Sequence, residues 1–250
     1  MRIVTVAFDY SGFYMYARLL RVFEYSVAQH MPNASFEVVR IPAPDGVNER
    51  QRSHVSNTWK FREWARVMRE ADPADEIVFC DCDMLMTGDL SDAFDFDFDV
   101  AYTRRLAKFP MNGGVVFARP TEAALAFFEL WREWNDRFYR DPAEHRPWKV
   151  KYGGMNQAAF GKVVNDVEYD ATVIALPCEV YNATDSDWGS VTDNTRMIHC
   201  KSNLRRAIFS RLPNGRNTRY SEATIKLALQ WQALEREIVS AGASALRGVT

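Results

Sequence analysis

The segment EIVFCDCDMLMTGDLSDAF, Glu76–Phe94, aims an apolar run, Ile77–Cys80, at two carboxylates one residue apart, Asp81 and Asp83. Two like charges at a strand end repel each other unless something positive sits with them. Carboxylate oxygens are hard ligands that suit magnesium or manganese, and a metal held by one or two of them usually fills its shell with phosphate oxygens. The plain alternative is a solvated turn whose aspartates cap backbone N–H groups. The apolar run weighs against it, because it fixes both carboxylates where an α/β sheet collects ligands, beyond the carboxyl ends of its strands. A second set lies far downstream, in MIHCKSNLRR, Met197–Arg206. His199 is one of 4 histidines and the only one to end an apolar strand-like run. Lys201, Arg205 and Arg206 follow it, and guanidinium groups bind phosphate in bidentate fashion. Read blandly, these are a hydrogen-bonded histidine and a solvated basic surface.

The elements that must position these groups alternate between strand and helix. Arg2–Phe8 is a β-branched run that predicts a first buried strand, ending at Asp9 and Tyr10. Tyr14–His30 has helical spacing through Leu19, Leu20, Phe23 and Val27, and Ser35–Ile41 reads as a second strand. A polar loop at 42–52 leads to a helix with Lys60 near its start and Trp59, Trp64, Ala65, Met68 and Ala71 on its apolar stripe. After the aspartate strand and its turn, Asp99–Thr103 and Gly114–Ala118 read as strands. Pro120 is placed at the opening of a helix, where its missing N–H costs little. That helix buries Phe127, Trp131, Trp134 and Phe138. A short helix starts near Gly154–Asn156, Thr172–Leu176 and Arg196–Cys200 are late strands, and Leu227, Trp231, Leu234 and Ile238 stripe a last helix. This alternation implies an α/β layered sheet.

Composition narrows the class. With 250 residues, 47% hydrophobic and 26% charged, the chain can bury a core without staples. A net charge of −2 leaves no electrostatic footprint for nucleic acid or an acidic membrane surface. The 4 cysteines contain no C-x-x-C pair and read as reduced and mostly buried, as in a cytoplasmic protein. The start meets Asp9 before a signal-peptide core forms, and no apolar run approaches the roughly 18 residues of a membrane span.

Taken together, the segment from Trp59 through the aspartate pair resembles the nucleotide-sugar-binding half of glycosyltransferases of the A-type fold. It is most similar to the family 8 group that includes glycogenin and bacterial galactosyltransferases. In that family D-x-D closes a strand, binds manganese, and is followed by a turn and a short helix. FPMNGGVVFARP, Phe109–Pro120, resembles the family's F-N-S-G-V segment, with Asn112 on the family asparagine. YGGMNQAAF, Tyr152–Phe160, resembles its G-D-Q segment, with Gln157 matching and Asn156 in place of the usual aspartate. The Met197–Arg206 segment resembles H-x-x-G-x-x-K-P-W: His199 matches, Ser202 stands where glycine is usual, and Arg205 where lysine is usual. Phe8-Asp9-Tyr10 resembles a shortened form of the family's nucleotide-binding turn. The matches run in order from the first strand to about Arg206.

The resemblance implies a metal-dependent transferase with a Rossmann-like mixed sheet flanked by helices, taking a UDP-sugar donor and manganese or magnesium. Asp83 and His199 would hold the cation, with Asp81 as a direct or water-mediated partner. Asp9, Tyr10, Lys60, Asp81, Asn112, Gly113, Lys201 and Arg205 would bind the donor, and Asn156, Gln157 and Arg205 would serve the reaction. Neutral amides such as Asn112, Asn156 and Gln157 are of the kind that read sugar hydroxyls; Gly113 serves either close approach to the sugar or its own turn. The acceptor, a glycan, protein or small molecule, is left open. Transfer is expected to retain the anomeric configuration. One domain is expected over 1–240, with a nucleotide-binding half at about 1–105, a sugar and acceptor half at about 106–210 and a C-terminal helix at 220–240, followed by a flexible tail at 241–250. Trp148 and Trp188 fall in polar loops that could line an acceptor site, where Asp185 and Asp187 could position a hydroxyl. A haloacid-dehalogenase-type phosphatase also places D-x-D after a strand, but it wants a threonine two residues after the second aspartate, where this chain has Leu85. A nucleotidyltransferase would need a glycine-rich loop after the first strand. A non-catalytic nucleotide-sugar or glycan-binding protein is the remaining alternative.

Overall fold

The computed structural model describes residues 1–9, 14–42, 49–106, 109–210 and 219–247. The first half runs β1 (Arg2–Asp9), α1 (Tyr14–His30), β2 (Ser35–Pro42), α2 (Glu49–Glu70), β3 (Ile77–Cys80), β4 (Met84–Met86), β5 (Val100–Arg104) and β6 (Met111–Ala118). There follow α3 (Glu122–Arg140), α4 (Pro142–Tyr152), α5 (Met155–Asp166), β7 (Val173–Pro177), α6 (Cys178–Tyr181), β8 (Met197–His199), α7 (Ser202–Ile208) and α8 (Glu222–Arg247). These pack as two compact units. One is made of Met1–Tyr10, Ala34–Asp81 and Leu90–Cys178, the other of Ser11–Asn33, Cys82–Asp89 and Glu179–Thr250.

The first unit is a mixed α/β layer. Its six-stranded sheet has the order β2-β1-β3-β6-β5-β7. β1 lies parallel to β2 and β3, β6 runs antiparallel to β3 and β5, and β7 is parallel to β5. All of β3 and all of β6 are buried, which is why β3 and the Val115–Ala118 part of β6 read as apolar runs rather than alternating ones. Helices α2, α3 and α5 pack on one another through an aromatic core. Phe61 and Trp131 have ring centroids 4.1 Å apart, and Trp64 lies 5.0 Å from Phe79 of β3. Truncating an aromatic so enclosed costs about 3–5 kcal/mol.

Three expectations for this unit are corrected. Pro120 does not open α3; Thr121 is the N-cap, its hydroxyl accepting from the Ala124 N–H at 3.1 Å, because a hydroxyl can satisfy an orphan donor of the first turn. Trp148 lies on α4 rather than in a loop. That helix is capped by Asp141, whose Oδ1 accepts from Ala143 at 2.9 Å and Glu144 at 3.1 Å. Trp59 is 37% exposed: the buried side of α2 passes through Lys60, Phe61 and Trp64, leaving Trp59 outside with Arg62 over its ring.

In the second unit β4 and β8 form a two-stranded antiparallel ribbon, with Met84 opposite His199. The expected turn after Asp83 is thus a strand, three residues long and fully buried. Leu85 and Ile198 face a core with Leu19 and Val22 of α1, Leu204 of α7, and Leu227 and Trp231 of α8. Arg18 ties α1 to Glu235 of α8 through bonds of 2.6 and 2.5 Å. α8 runs from Glu222 to Arg247. Among the described residues, no helix is long and apolar enough to cross a membrane.

Candidate functional site

In the first unit the chemistry gathers at the carboxyl end of β3, beside a bulge in β6. Tyr102 of β5 pairs with Val116, but Thr103 pairs with Asn112, so the residues between Asn112 and Val116 leave the regular register. Asn112 shapes that bend: its side-chain oxygen accepts from the Gly114 N–H at 2.9 Å. Lys60 reaches into it from α2. Its ammonium donates to Asp81 Oδ1 at 2.6 Å and to the Gly113 carbonyl at 3.3 Å, and lies 4.5 Å above the centre of the Trp64 ring. At 6% exposure a lysine needs such partners, since a lone buried ammonium is costly.

Helix α5 brings two more predicted residues to the same bend. Gln157 accepts from the Gly113 N–H at 3.4 Å and donates to the Tyr152 carbonyl at 2.7 Å. Asn156 is 3% exposed and accepts from the Gln157 N–H at 3.0 Å. The start of α5 is pinned by Trp131, whose indole N–H donates to the Asn156 carbonyl at 2.7 Å. A Cβ on Gly113 would lie 2.7 Å from Asn156 Nδ2. Any larger residue here would have to push the Asn156 amide aside. Lys60, Asp81, Asn112, Gly113, Asn156 and Gln157 thus form one connected cluster.

The second unit assembles a different set around Asp83. The β4–β8 register sets Met84 against His199, and the Cys200 N–H donates to the Asp83 carbonyl at 2.8 Å. The Asp83 carboxylate then meets His199 Nε2 at 3.3 Å and Arg205 at 3.5 Å. Burial alone would raise the pKa of this carboxyl. The charge and hydrogen bond of His199, with the nearby Arg205 charge, overcome that and hold it at about 2. Asp83 is a buried carboxylate that stays ionised. Arg205 also donates to the Tyr16 hydroxyl from α1, a partner no sequence motif marked.

Ser202 opens α7 with φ +49°, the sole non-glycine residue at positive φ among the described residues. This left-handed conformation is one that glycine adopts without steric cost and serine does not. Lys201 stands 3.8 Å from Asp185, and Arg206 is exposed. Asp187 is committed to its own turn, accepting from the Thr184 N–H at 2.9 Å and the Thr184 hydroxyl at 3.0 Å. Trp188 is 5% exposed, inside the second unit's core, which corrects its expected place in an open acceptor loop. Asp9 ends β1, and its side chain, like Tyr10, lies outside the described residues.

The nucleotide-diphospho-sugar transferase family model matches residues 75–205, more than half of the chain. No curated protein matches. Solved structures do. A glycosyltransferase involved in glycosylation of the major capsid of PBCV-1 aligns with 15% identity and a TM-score of 0.56, over 82% of this chain and 95% of its own. The glycosyltransferase GlyE of Streptococcus pneumoniae gives 16% identity and 0.57, over 96% of this chain but 64% of its own length. The galactosyltransferase LgtC, solved with donor and acceptor sugar analogs, gives 14% identity and 0.58, over 95% of this chain and 96% of its own. At such identities these likenesses bear on fold, and the fold they share is the A-type. The family match sets aside the phosphatase and nucleotidyltransferase readings.

Proposed function

The chain belongs to the nucleotide-diphospho-sugar transferase family, an A-type glycosyltransferase resembling family 8, and from that membership we propose its reaction. It moves a sugar from a UDP-sugar to a hydroxyl of a glycan, protein or small molecule, with a divalent cation and with retention of configuration, in the cytoplasm. The observation that carries the reading is the Asp83–His199 pair at 3.3 Å, in the segment that follows the buried strand Ile77–Cys80.

The donor set fits a divalent cation: a buried, ionised carboxylate beside an imidazole nitrogen, with a second carboxylate two residues earlier in the chain. Asp83 and His199 would hold the cation with Asp81, and magnesium or manganese would supply Lewis-acid stabilisation to the departing diphosphate. Lys60 fixes the Asp81 carboxylate. Asp9 and Tyr10 hold the nucleotide base. Arg205, at the family's lysine position, and Lys201 bind phosphate, and Asn112, Gly113, Asn156 and Gln157 face the sugar. Neither amide of the Asn156–Gln157 pair takes up a proton at neutral pH. The departing diphosphate then accepts the acceptor's proton on the same face, which gives retention.

The test incubates purified protein and manganese with a panel of nucleotide sugars and assays released nucleoside diphosphate. Release of UDP from a UDP-sugar is expected. Release confined to GDP- or ADP-sugars would overturn the donor assignment, and full activity in EDTA the cation.

A further inference from the structure

Asp83 already has an internal cation. One of its carboxylate oxygens faces His199 Nε2 at 3.3 Å, and the other faces an Arg205 terminal nitrogen at 3.5 Å. The same nitrogen donates to the Tyr16 hydroxyl, and the guanidinium carbon stands 5.1 Å from the centre of the Tyr16 ring. Arg205 is therefore held from two sides, by a carboxylate and by a neutral side chain of α1. The Asp83 side chain is 9% exposed and that of Arg205 26%, so water screens this pair weakly. Any cation that uses the second oxygen must contend with a positive charge already beside it.

We propose that Arg205 is a resident competitor for Asp83: without donor it occupies the second carboxylate oxygen, and it withdraws when a divalent cation binds there. The inference rests on the reading of Asp83 as a cation ligand. Tyr16 gives the guanidinium a second anchor. Arg205 therefore weakens cation binding to the nucleotide-free protein. A diphosphate that draws the guanidinium from Asp83 strengthens cation binding, and by reciprocity the cation strengthens diphosphate binding. Cation and donor are coupled through one side chain, in addition to any direct contact between them.

The experiment titrates manganese into nucleotide-free protein and reads the free ion by electron paramagnetic resonance. It compares wild type with Arg205→Met, Arg205→Gln and Asp83→Asn, each checked for folding by circular dichroism. Removing a unit charge this close to the carboxylate is expected to tighten manganese binding about tenfold in both Arg205 variants. Asp83→Asn is expected to lose it. Adding UDP should raise manganese affinity by a larger factor in wild type than in Arg205→Met. If both Arg205 variants bind manganese no more tightly than wild type while Asp83→Asn fails to bind, the competition is refuted and the cation site stands. If wild type and Asp83→Asn bind equally, the cation reading of Asp83 falls and the competition falls with it.

Discussion

Replacing Lys60 with methionine tests how the first unit's cluster is held. The substitution keeps most of the volume and removes the charge that donates to Asp81 at 2.6 Å and to the Gly113 carbonyl at 3.3 Å. Removing one member of a buried ion pair costs about 3–5 kcal/mol, because the other is left uncompensated. The Asp81 side chain is 26% exposed, so water reaches it. We therefore expect a smaller loss for Lys60→Met, about 2 kcal/mol. Asp81→Asn should cost about 3 kcal/mol, since it strands the deeper partner. The Lys60 side chain is only 7% exposed. In the double variant neither charge is stranded, and it should be about 2 kcal/mol more stable than the sum of the single losses requires. Urea unfolding of the four proteins, with two optical probes to check two-state behaviour, gives the cycle. Additivity within about 0.5 kcal/mol would mean that the pair does not hold the strand end to the bulge.

Three further outcomes follow from particular residues. The Asp83 carboxyl, at about 2, lies below its ordinary 3.8. Its stabilisation is therefore present above the unfolded value and is lost as pH falls through the folded one; the stability of wild type relative to Asp83→Asn should drop by about 2 kcal/mol between about pH 5 and pH 2, and a flat difference in denaturant titrations would contradict it. Ser202→Gly removes a side chain from a left-handed position at φ +49°. Calorimetry should show a gain of about 1 kcal/mol, and a lowered melting temperature would refute the strain. With a donor and acceptor in hand, proton NMR of the fresh product should show the donor's anomeric coupling. An inverted product would contradict retention and make Asp185 the leading candidate for a general base, since Asp187 is already bonded within its turn.

Much of the fold was legible because it is written in local pattern. The helical spacing of Leu19, Leu20, Phe23 and Val27 placed α1 over Tyr14–His30, and the unbroken apolar run of β3 marked it as a buried strand. What stayed hidden depends on distant partners or on weak pattern. β4 is three residues long, and its partner β8 lies more than a hundred residues away, so MLM after Asp83 looks like the start of a turn. α4 has Pro147 inside it and no clean apolar stripe, and its helical character is declared only by the Asp141 cap and Pro142. The site divides in the same way. Short motifs marked Asp81, Asp83, Asn112, Gln157 and His199, but no sequence pattern links Tyr16 to Arg205, 189 residues later. The crowding at Gly113 likewise comes from Asn156, which only folding brings near.

In the proposed reaction a cation held by Asp83 and His199 governs nucleotide binding. Isothermal titration of UDP into the protein, with manganese and again in EDTA, tests it most directly. Tight binding with manganese that is lost in EDTA, and lost in manganese on Asp83→Ala, is the expected result. Equal UDP affinity with and without the metal would contradict it.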